Sequence, residues 1–300
     1  GRHWGGSGEG RDSPQSWTDR MSRDLRASLA EQTLRILEDR GYSNAVGIHV
    51  DLSDAIGRCI EKTRLYEAED VARLRDEQRG LHNADRTAKI DVVNETTLAG
   101  LAALLDEDDS PVGVLNFASA KNPGGGFLGG SQAQEESLAR SSALYASLVR
   151  AEVFYRRHRT SSSLLYSDAM ILSPDCPVFR DDDGALLDAS RIAGFVTCAA
   201  PNAGAIAANR RDELPLIEET FVRRAEGILA LAASRGYRRL VLGAWGCGVF
   251  RNDPAMVASV FARHLKDGGW ADRFAHVRFS VLDSTPGASI FNAFERALMR

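Results

Sequence analysis

The stretch that decides the fold is VGVLNFASAKNPGGGFLGGSQAQEESLARSSALYASL, residues 112–148. Its first seven residues are almost entirely apolar, as expected for a central strand that is covered on both faces. Glycine then occupies five of the nine positions 122–130. Two adjacent glutamates, Glu135 and Glu136, follow at the start of a helix predicted over 134–149. A buried strand, a glycine loop and a helix in this order indicate an α/β fold with a ligand at the loop.

Strands and helices alternate along the rest of the chain. Short apolar runs predict the strands, and longer amphipathic segments predict the helices. This alternation predicts a layered α/β fold around a mainly parallel or mixed sheet. The predicted strands are 45–52, 89–94, 164–172, 177–180, 193–200, 238–244 and 276–283, and the predicted helices after residue 86 include 95–105, 215–236, 254–266 and 288–299.

Composition divides the chain into three predicted regions. Residues 1–21 are polar and rich in glycine and serine, so we expect a disordered leader or a cloning remnant. Residues 22–86 are predicted to form a mostly helical extension, and residues 87–300 the main α/β domain. The helices expected in the extension are 22–40, 53–66 and 69–81.

Charge and cysteine content exclude several classes of protein. The net charge of −4 provides no overall basic field, so direct nucleic-acid binding is not expected. No apolar run approaches the ~18 residues of a membrane span. The spacing of the four cysteines fits neither a zinc site nor a disulfide framework, which favours buried free thiols and a reducing cytoplasm. They are Cys59, Cys176, Cys198 and Cys247.

The first glycine loop matches the dinucleotide-binding pattern G-x-G-x-x-G at residues 124–129. In that fold the helix begins inside the motif, so that its N-terminus meets the pyrophosphate. Here Pro123 precedes the glycines and the predicted helix starts only near Gln134. The loop is therefore too long for a nicotinamide oxidoreductase.

A second glycine loop, GAWGCGVF at residues 243–250, also leaves an apolar strand. Asn252 and Asp253 follow it as candidate N-cap residues for the next helix. Glycine allows the backbone to approach a ligand closely and to present its N–H groups. Two such loops at the carboxyl ends of strands predict a cleft for a diphosphate.

The glutamate pair has two interpretations. Acidic residues are favoured in the first turn of a helix by the macrodipole, which needs no function. Beside a ligand loop, however, one carboxylate could hold sugar hydroxyls while the other acts on the bond, since adjacent helix positions point about 100° apart. Burial raises and the helix dipole lowers a carboxyl pKa, and the sequence does not decide which effect is larger.

Together these segments resemble the poly(ADP-ribose) glycohydrolases, in particular the bacterial-type branch. The resemblance rests on GGG followed by QEE, on GAWGCGVF, on VLNFASAKNPGGG and on CAAPNAG at 198–204, and it spans residues 22–300. It implies a macrodomain, a three-layer α/β/α fold with a mixed central sheet. It also implies hydrolysis of ribose–ribose bonds in poly(ADP-ribose), with ADP-ribose as product, without metal or cofactor. Reversal of ADP-ribosylation, as in the DNA damage response, and a monomeric state would follow.

Residue roles follow from the same resemblance. Glu136 matches the catalytic glutamate, Glu135 the one that holds ribose hydroxyls of the adjoining unit, and Phe250 the aromatic against the terminal ribose. Asn116 and Ser119 are candidates for the distal ribose, although the animal enzymes carry Asp-Phe-Ala-Asn at positions 116–119. Glu95, Phe291 and Asn292 are candidates for adenine contacts. The remaining ADP-ribose-binding candidates are Gly124, Gly125, Gly126, Gln134, Gly243, Ala244, Trp245, Gly246, Cys247, Gly248 and Val249.

Other readings stay open at this stage. A macrodomain that only binds ADP-ribose needs the glycine loops but not the glutamate pair, and a hydrolase could instead act on mono-ADP-ribosylated proteins. Trp245 could contact the ligand or pack beneath its loop. The acidic run DDDG at 181–184 is expected to be a solvated turn.

Overall fold

The structure, a computed structural model, describes residues 21–81 and 86–300. The leader predicted at residues 1–21 lies outside the described residues except for Met21. The N-terminal elements are α1 (Arg23–Asp39), β1 (Gly41–Ser43), β2 (His49–Asp51), α2 (Ser53–Lys62), β3 (Arg64–Tyr66) and α3 (Ala68–Arg79).

Strands and helices continue to alternate after residue 86. The strands are β4 (Lys89–Val93), β5 (Val112–Ala118), β6 (Met170–Arg180), β7 (Leu186–Ala199), β8 (Arg239–Leu242) and β9 (His276–Ser280). The helices are α4 (Thr97–Glu107), α5 (Gln134–Ser141), α6 (Leu144–Leu148), α7 (Glu152–Thr160), α8 (Ala203–Asn209), α9 (Ile217–Ser234), α10 (Pro254–Ala262) and α11 (Ser289–Leu298). Short 3₁₀ segments cover Phe127–Gly129, Val149–Ala151, Arg211–Leu216 and Trp270–Arg273, and a π-helical turn covers Arg263–Asp267.

Short polar side chains begin several of these helices. Ser22 Oγ accepts from the Leu25 N–H at 3.0 Å at the start of α1. Asp253 accepts from the Ala255 N–H at 3.1 Å and precedes Pro254, a residue suited to the first helical position. Asp253 is thus the N-cap of α10, one of the two residues that the sequence indicated.

Within the described residues, seven strands form one mixed sheet in the order β3-β6-β7-β5-β8-β9-β4. Strand β5 lies at the centre and pairs in parallel with β7 and β8, while β6 is antiparallel to both of its neighbours. The prediction of a mixed α/β sheet is confirmed. A second, two-stranded sheet joins β1 to β2.

Two apolar clusters show that helices cover both faces of the sheet. Leu115 lies in a cluster with side chains of α9, α10 and α11, whereas its neighbour Val114 lies in a cluster with α2, α4 and α6. Successive residues of a strand point to opposite faces. The fold is therefore the three-layer α/β/α arrangement, and β5 is buried on both sides as its apolar run predicted.

Tertiary contacts correct three of the predicted elements. The helix expected over 53–66 ends at Lys62, because Arg64–Tyr66 pairs with Met170–Leu172 at the edge of the sheet. The helix expected over 134–149 breaks at Ser142, which bridges to Val178. The strands expected at 164–172 and 177–180 form the single strand β6, which begins only at Met170.

The N-terminal region packs directly against the main domain. Strand β3 is one of its edge strands, and the side chain of Val71 in α3 lies against Gly227 of α9, where a Cβ would be 2.6 Å from the Val71 Cγ1. The division of the chain at residue 86 remains a prediction. None of the described helices combines the length and the apolar character that a membrane crossing requires.

Candidate active site

The carboxyl ends of the parallel strands open into one cavity of about 490 Å³. In parallel sheets this edge is where ligands bind. The second predicted loop reaches it with residues 244–250, as do Gln132 and Ala133 after the first loop and the N-terminal turns of α4 and α5. The cavity is lined by residues 95–98, 117–119, 132–138, 182, 200, 244–250, 280–282 and 290.

Gly124 and Gly125 pack the first loop against α5, where their nearest α5 side chains are Ala139 and Glu136. Gly124 and Gly125 have positive φ values of 71° and 60°, which favour glycine. A Cβ on Gly125 would lie 3.0 Å from the carboxyl carbon of Glu136, and one on Gly126 would lie 2.6 Å from Ser131 Oγ. These glycines lie behind the residues that line the cavity, where they leave room for the glutamate.

Gln134 connects the start of α5 to the central strand. Its Oε1 accepts from the Phe117 N–H at 2.8 Å, and its Nε2 donates to the Leu115 carbonyl at 2.8 Å. Nε2 also donates to Thr97 Oγ1 at 3.2 Å. The amide therefore fixes the position of α5 relative to β5 and α4, although Gln134 also lines the cavity.

Glu135 is held by the end of the central strand. One oxygen accepts from the Ser119 N–H at 2.8 Å and the other from Asn116 Nδ2 at 2.9 Å. Asn116 is fully buried and also donates to Thr197 Oγ1 at 3.0 Å. Glu135 is 2% exposed, and this burial raises its pKa to about 8 against the opposing effect of the two hydrogen bonds.

Glu136 lines the cavity one position further along the helix. Burial raises the pKa of this carboxyl as well, while the Arg140 guanidinium opposes the rise. Burial therefore has a larger effect on the pKa of Glu136 than the helix N-terminus, a balance that the sequence did not decide. Because the two glutamates have different partners, one side chain is tied to β5 and the other lies against Gly125 beside the cavity.

The second loop is folded tightly by its own glycines and by Asn252. A Cβ on Gly243 would lie 2.6 Å from the Ser280 carbonyl oxygen, and Gly246 has a φ of 77°. Asn252 Nδ2 donates to the carbonyls of Gly246 and Pro201, both at 2.8 Å. The sequence presented Asn252 as a possible helix cap, and its role as a brace for the loop depends on tertiary contacts.

Two residues of this loop turn inward. The indole of Trp245 is fully buried, donates to the Cys198 carbonyl at 3.2 Å and packs on Phe221 with ring centroids 5.1 Å apart. It packs beneath the loop, one of the two readings that the sequence allowed. Burial raises the pKa of the Cys247 thiol to about 12, so it is not an activated nucleophile.

The other end of the loop carries an exposed apolar side chain and a half-buried aromatic one. Val249 is 85% exposed at the mouth of the cavity. Phe250 lies 6.1 Å from the ring of Tyr166, a residue held at a φ of 61°. A left-handed tyrosine beside a candidate sugar-binding aromatic is a strained feature of the kind that occurs at functional sites. No sequence signal indicated Tyr166.

Of the three candidates for adenine contacts, only one lines the cavity. Glu95 lines the cavity, but both of its oxygens accept from Arg278, at 2.6 and 3.0 Å. Phe291 packs against the core and Asn292 donates to the Gly287 carbonyl, and neither lines the cavity. From α11 it is Ile290 that lies at the wall.

Asp182 corrects the expectation for the acidic run at 181–184. Instead of lying in solvent, this carboxyl lines the cavity and accepts from Thr96 Oγ1 at 2.6 Å. Its burial raises its pKa. This carboxyl lies in the turn between β6, which ends at Arg180, and β7, which begins at Leu186, seven residues before its predicted start. Across residues 21–81 and 86–300, no group of three or more His, Cys, Asp or Glu side chains is placed to hold a metal ion.

Comparison with known proteins agrees with this geometry. The model of the microbial-type PARG catalytic domain matches residues 30–181, about half of the chain. The chain belongs to the microbial-type poly(ADP-ribose) glycohydrolase family. The resemblance seen in the sequence is therefore confirmed, and so is the macrodomain-like fold.

Solved members of the family cover most of the chain. The poly(ADP-ribose) glycohydrolase of Thermomonospora curvata is 46% identical over 92% of this chain and 100% of its own, with a TM-score of 0.87. Its complex with the inhibitor ADP-HPD gives a TM-score of 0.85 at 46% identity, over 91% of this chain and 99% of that one. The Deinococcus radiodurans enzyme in complex with ADP-ribose is 44% identical over 81% of this chain and 96% of its own, with a TM-score of 0.77. No curated protein matches the chain.

Proposed function

We propose that this chain hydrolyses the ribose–ribose O-glycosidic bonds of poly(ADP-ribose) and releases ADP-ribose, with Glu136 as general acid and base. The observation that carries the proposal is the position of Glu136, whose carboxyl borders the cavity with a raised pKa at the end of a glycine loop. Membership of the glycohydrolase family supports it, as do the ligands bound in the Thermomonospora and Deinococcus enzymes.

The two ends of the cavity suit the two chemical parts of ADP-ribose. Peptide groups of residues 244–249 line one wall, and closely spaced N–H donors suit a diphosphate. Phe250 follows them and offers a ring to the terminal ribose, and Ile290 and Leu282, which also line the cavity, offer apolar surface to adenine. This placement brings the anomeric carbon of the terminal ribose to Glu136.

Hydrolysis then needs one proton donor and one activated water. Glu136 gives its proton to the glycosidic oxygen, which leaves with the adjoining unit as the bond to the anomeric carbon breaks. The carboxylate so formed takes a proton from water, whose oxygen bonds to the same carbon. The bound diphosphate stabilises the positive charge that develops on the sugar. The raised pKa of Glu136 favours the protonated form that the first step needs.

Glu135 has a separate task in this scheme. Its carboxyl lies between the Ser119 N–H and Asn116, next to the catalytic position but tied to β5. Ribose hydroxyls of the adjoining unit would meet this cluster beside Glu136. Glu135 and Asn116 would thus orient the sugar, while Glu136 carries the proton.

Substitution of Glu136 tests the assignment. Glu136→Gln removes the proton donor but keeps the shape, so kcat on purified polymer should fall at least ~10²-fold. ADP-ribose should bind with an unchanged dissociation constant in calorimetry. Glu61→Gln, the same change at an exposed position of α2, is the matched control.

Three results would contradict the proposal. Near-full hydrolysis by Glu136→Gln would remove its catalytic role. A wild-type protein that binds ADP-ribose but releases none from polymer would be a binding macrodomain. Removal of the last unit from a mono-ADP-ribosylated protein, with polymer left intact, would indicate a mono-ADP-ribosyl hydrolase.

The cellular setting completes the proposal. We infer a monomer that acts in the cytoplasm on polymer made in ADP-ribosylation responses such as DNA damage. The four free cysteines, all buried, support a reducing compartment. Size-exclusion chromatography with light scattering, followed by fractionation of cells, tests the state and the location.

A further inference from the structure

Helix α1 contacts the glycine loop at the point where it leads into α5. Arg26 Nε donates to the Gly130 carbonyl at 2.7 Å, and Arg23 Nε donates to the Gly129 carbonyl at 3.0 Å. Arg23 Nη2 also reaches Ser131 Oγ at 3.3 Å. Two guanidinium groups from one helix turn therefore hold two successive carbonyls of the loop.

The backbone of α1 lies directly against this part of the loop. Gly130 has a φ of 80°, and a Cβ there would lie 2.2 Å from the Arg23 carbonyl oxygen. Residues 129–131 are followed by Gln132 and Ala133, which line the cavity, and then by α5. Helix α1 thus contacts the segment that connects the loop to α5, the helix that carries Glu136.

The same helix supports α5 itself from behind. Thr33 Oγ1 donates to the Arg140 carbonyl at 2.5 Å in the buried interior. The Arg180 guanidinium donates to that carbonyl at 3.2 Å and to Gln32 Oε1 at 2.9 Å. A small apolar cluster of Ala30, Phe127 and Ala139 joins α1, the loop and α5.

We propose that α1 positions the catalytic glutamate: Arg23 and Arg26 hold the carbonyls of Gly129 and Gly130, so that Glu136 stays against Gly125 and its carboxyl meets the glycosidic oxygen. Arg23 and Arg26 are positioning residues, since neither lines the cavity. The inference rests on the proposed function. A catalytic group displaced by about 1 Å loses a large part of its effect, whereas the diphosphate loop is untouched.

Two variants that break the contact in different ways test the inference. Arg23→Gln/Arg26→Gln removes both guanidinium groups and shortens both side chains, and Gly130→Ala keeps both charges but places a methyl group against the Arg23 carbonyl. Each should lower kcat on polymer about 10-fold, with the dissociation constant of ADP-ribose within about twofold of wild type. The single substitution Arg26→Lys, whose ammonium group can still donate to the Gly130 carbonyl, should keep most of the wild-type kcat. Arg35→Gln, at an exposed position of the same helix, should act like wild type.

Hydrogen exchange separates a failure of this inference from a failure of the proposed function. In Arg23→Gln/Arg26→Gln the amides of residues 124–137 should exchange faster, while those of 244–250 stay unchanged, whether or not polymer is the substrate. A kcat within twofold of wild type in both variants, or unchanged exchange at 124–137, would overturn the inference. So would a parallel loss of ADP-ribose affinity, because the contact would then serve binding. A wild-type protein without polymer hydrolysis would refute the proposed function alone.

Discussion

At the scale of single residues, neighbouring glutamates acquire different chemistry from their partners. Glu135 is enclosed by Asn116 and the Ser119 N–H, whereas Glu136 borders the cavity. The pKa of both carboxyls is raised by burial, the first of them to about 8. A protonated carboxyl is needed for the proposed acid step at Glu136. At Glu135 the same effect makes the stability of the protein depend on pH.

Glu135 should reduce stability as the pH rises. Its pKa is raised in the folded state, so the folded protein binds the proton more tightly than the unfolded chain, whose carboxyl titrates near 4.5. The contribution is fully present below that value and is lost as the pH rises to about 8, by up to ~1.4 kcal/mol per pH unit. Glu135→Gln should therefore flatten the dependence of the free energy of unfolding on pH in this interval.

Urea denaturation at pH 5 and pH 8 measures the effect. Asn116 can accommodate the new amide by a flip, because its Oδ1 has no hydrogen-bond partner among the described residues. Glu61→Gln, at an exposed position, provides the control. An equal slope in wild type and Glu135→Gln would show that Glu135 is ionised in the folded protein throughout this range.

At the scale of elements, the glycine loop and α5 form one unit with the end of β5. Gln134 ties the helix to the strand, and the glycines bring the loop against Glu136. The glycines are needed here because the loop packs closely against a side chain of α5. A methyl group at Gly125 would meet the carboxyl at 3.0 Å and would also strain a φ of 60°.

Gly125→Ala should therefore lower kcat by about 10²-fold, because the carboxyl must shift away from the reacting bond. Gly47→Ala is the matched control, since it has a φ of 83° but no atom within 4 Å of the added Cβ. It should cost a similar ~1 kcal/mol of backbone strain and leave kcat unchanged. Steady-state kinetics and thermal unfolding of the two variants separate strain from displacement, and equal kcat values would refute the role of Gly125.

At the scale of the whole molecule, the N-terminal region is built into the fold. Strand β3 extends the main sheet, α3 packs on α9, and α1 contacts the loop and α5. Residues 87–300 would expose these surfaces if they were separated. The predicted domain boundary near residue 86 marks a change of composition, and the contacts across it lead us to expect that both parts unfold together.

A fragment of residues 87–300 should not fold independently. The fragment lacks β3, so β6 becomes an unpaired edge strand. Apolar side chains of α9 become exposed as well. The full chain should unfold in a single transition, while the fragment should lack sharp near-UV circular dichroism and a cooperative thermal transition. A fragment that unfolds cooperatively and binds ADP-ribose would show instead that residues 22–86 are a separate extension.

The sequence by itself determined the order of layers and the position of the two ligand loops. The apolar run of β5, the glycine clusters and the alternation of strands with helices are local patterns, and their consequences are local as well. The same holds for the glutamate pair, whose angular separation follows from helix geometry. The family resemblance was readable because these motifs are contiguous in the chain.

Tertiary structure decided what depends on contacts between distant residues. Hydrogen bonds at the sheet edge made Arg64–Tyr66 a strand, and a bridge to Val178 ended the predicted helix at Ser142. Asp182 lines the cavity, and Asn252 and Arg26 brace the two loops through hydrogen bonds that no local pattern predicts. Burial and contacts with residues distant in the chain set the pKa of each carboxyl and the position of each loop. Neither burial nor such contacts can be read from a local sequence pattern.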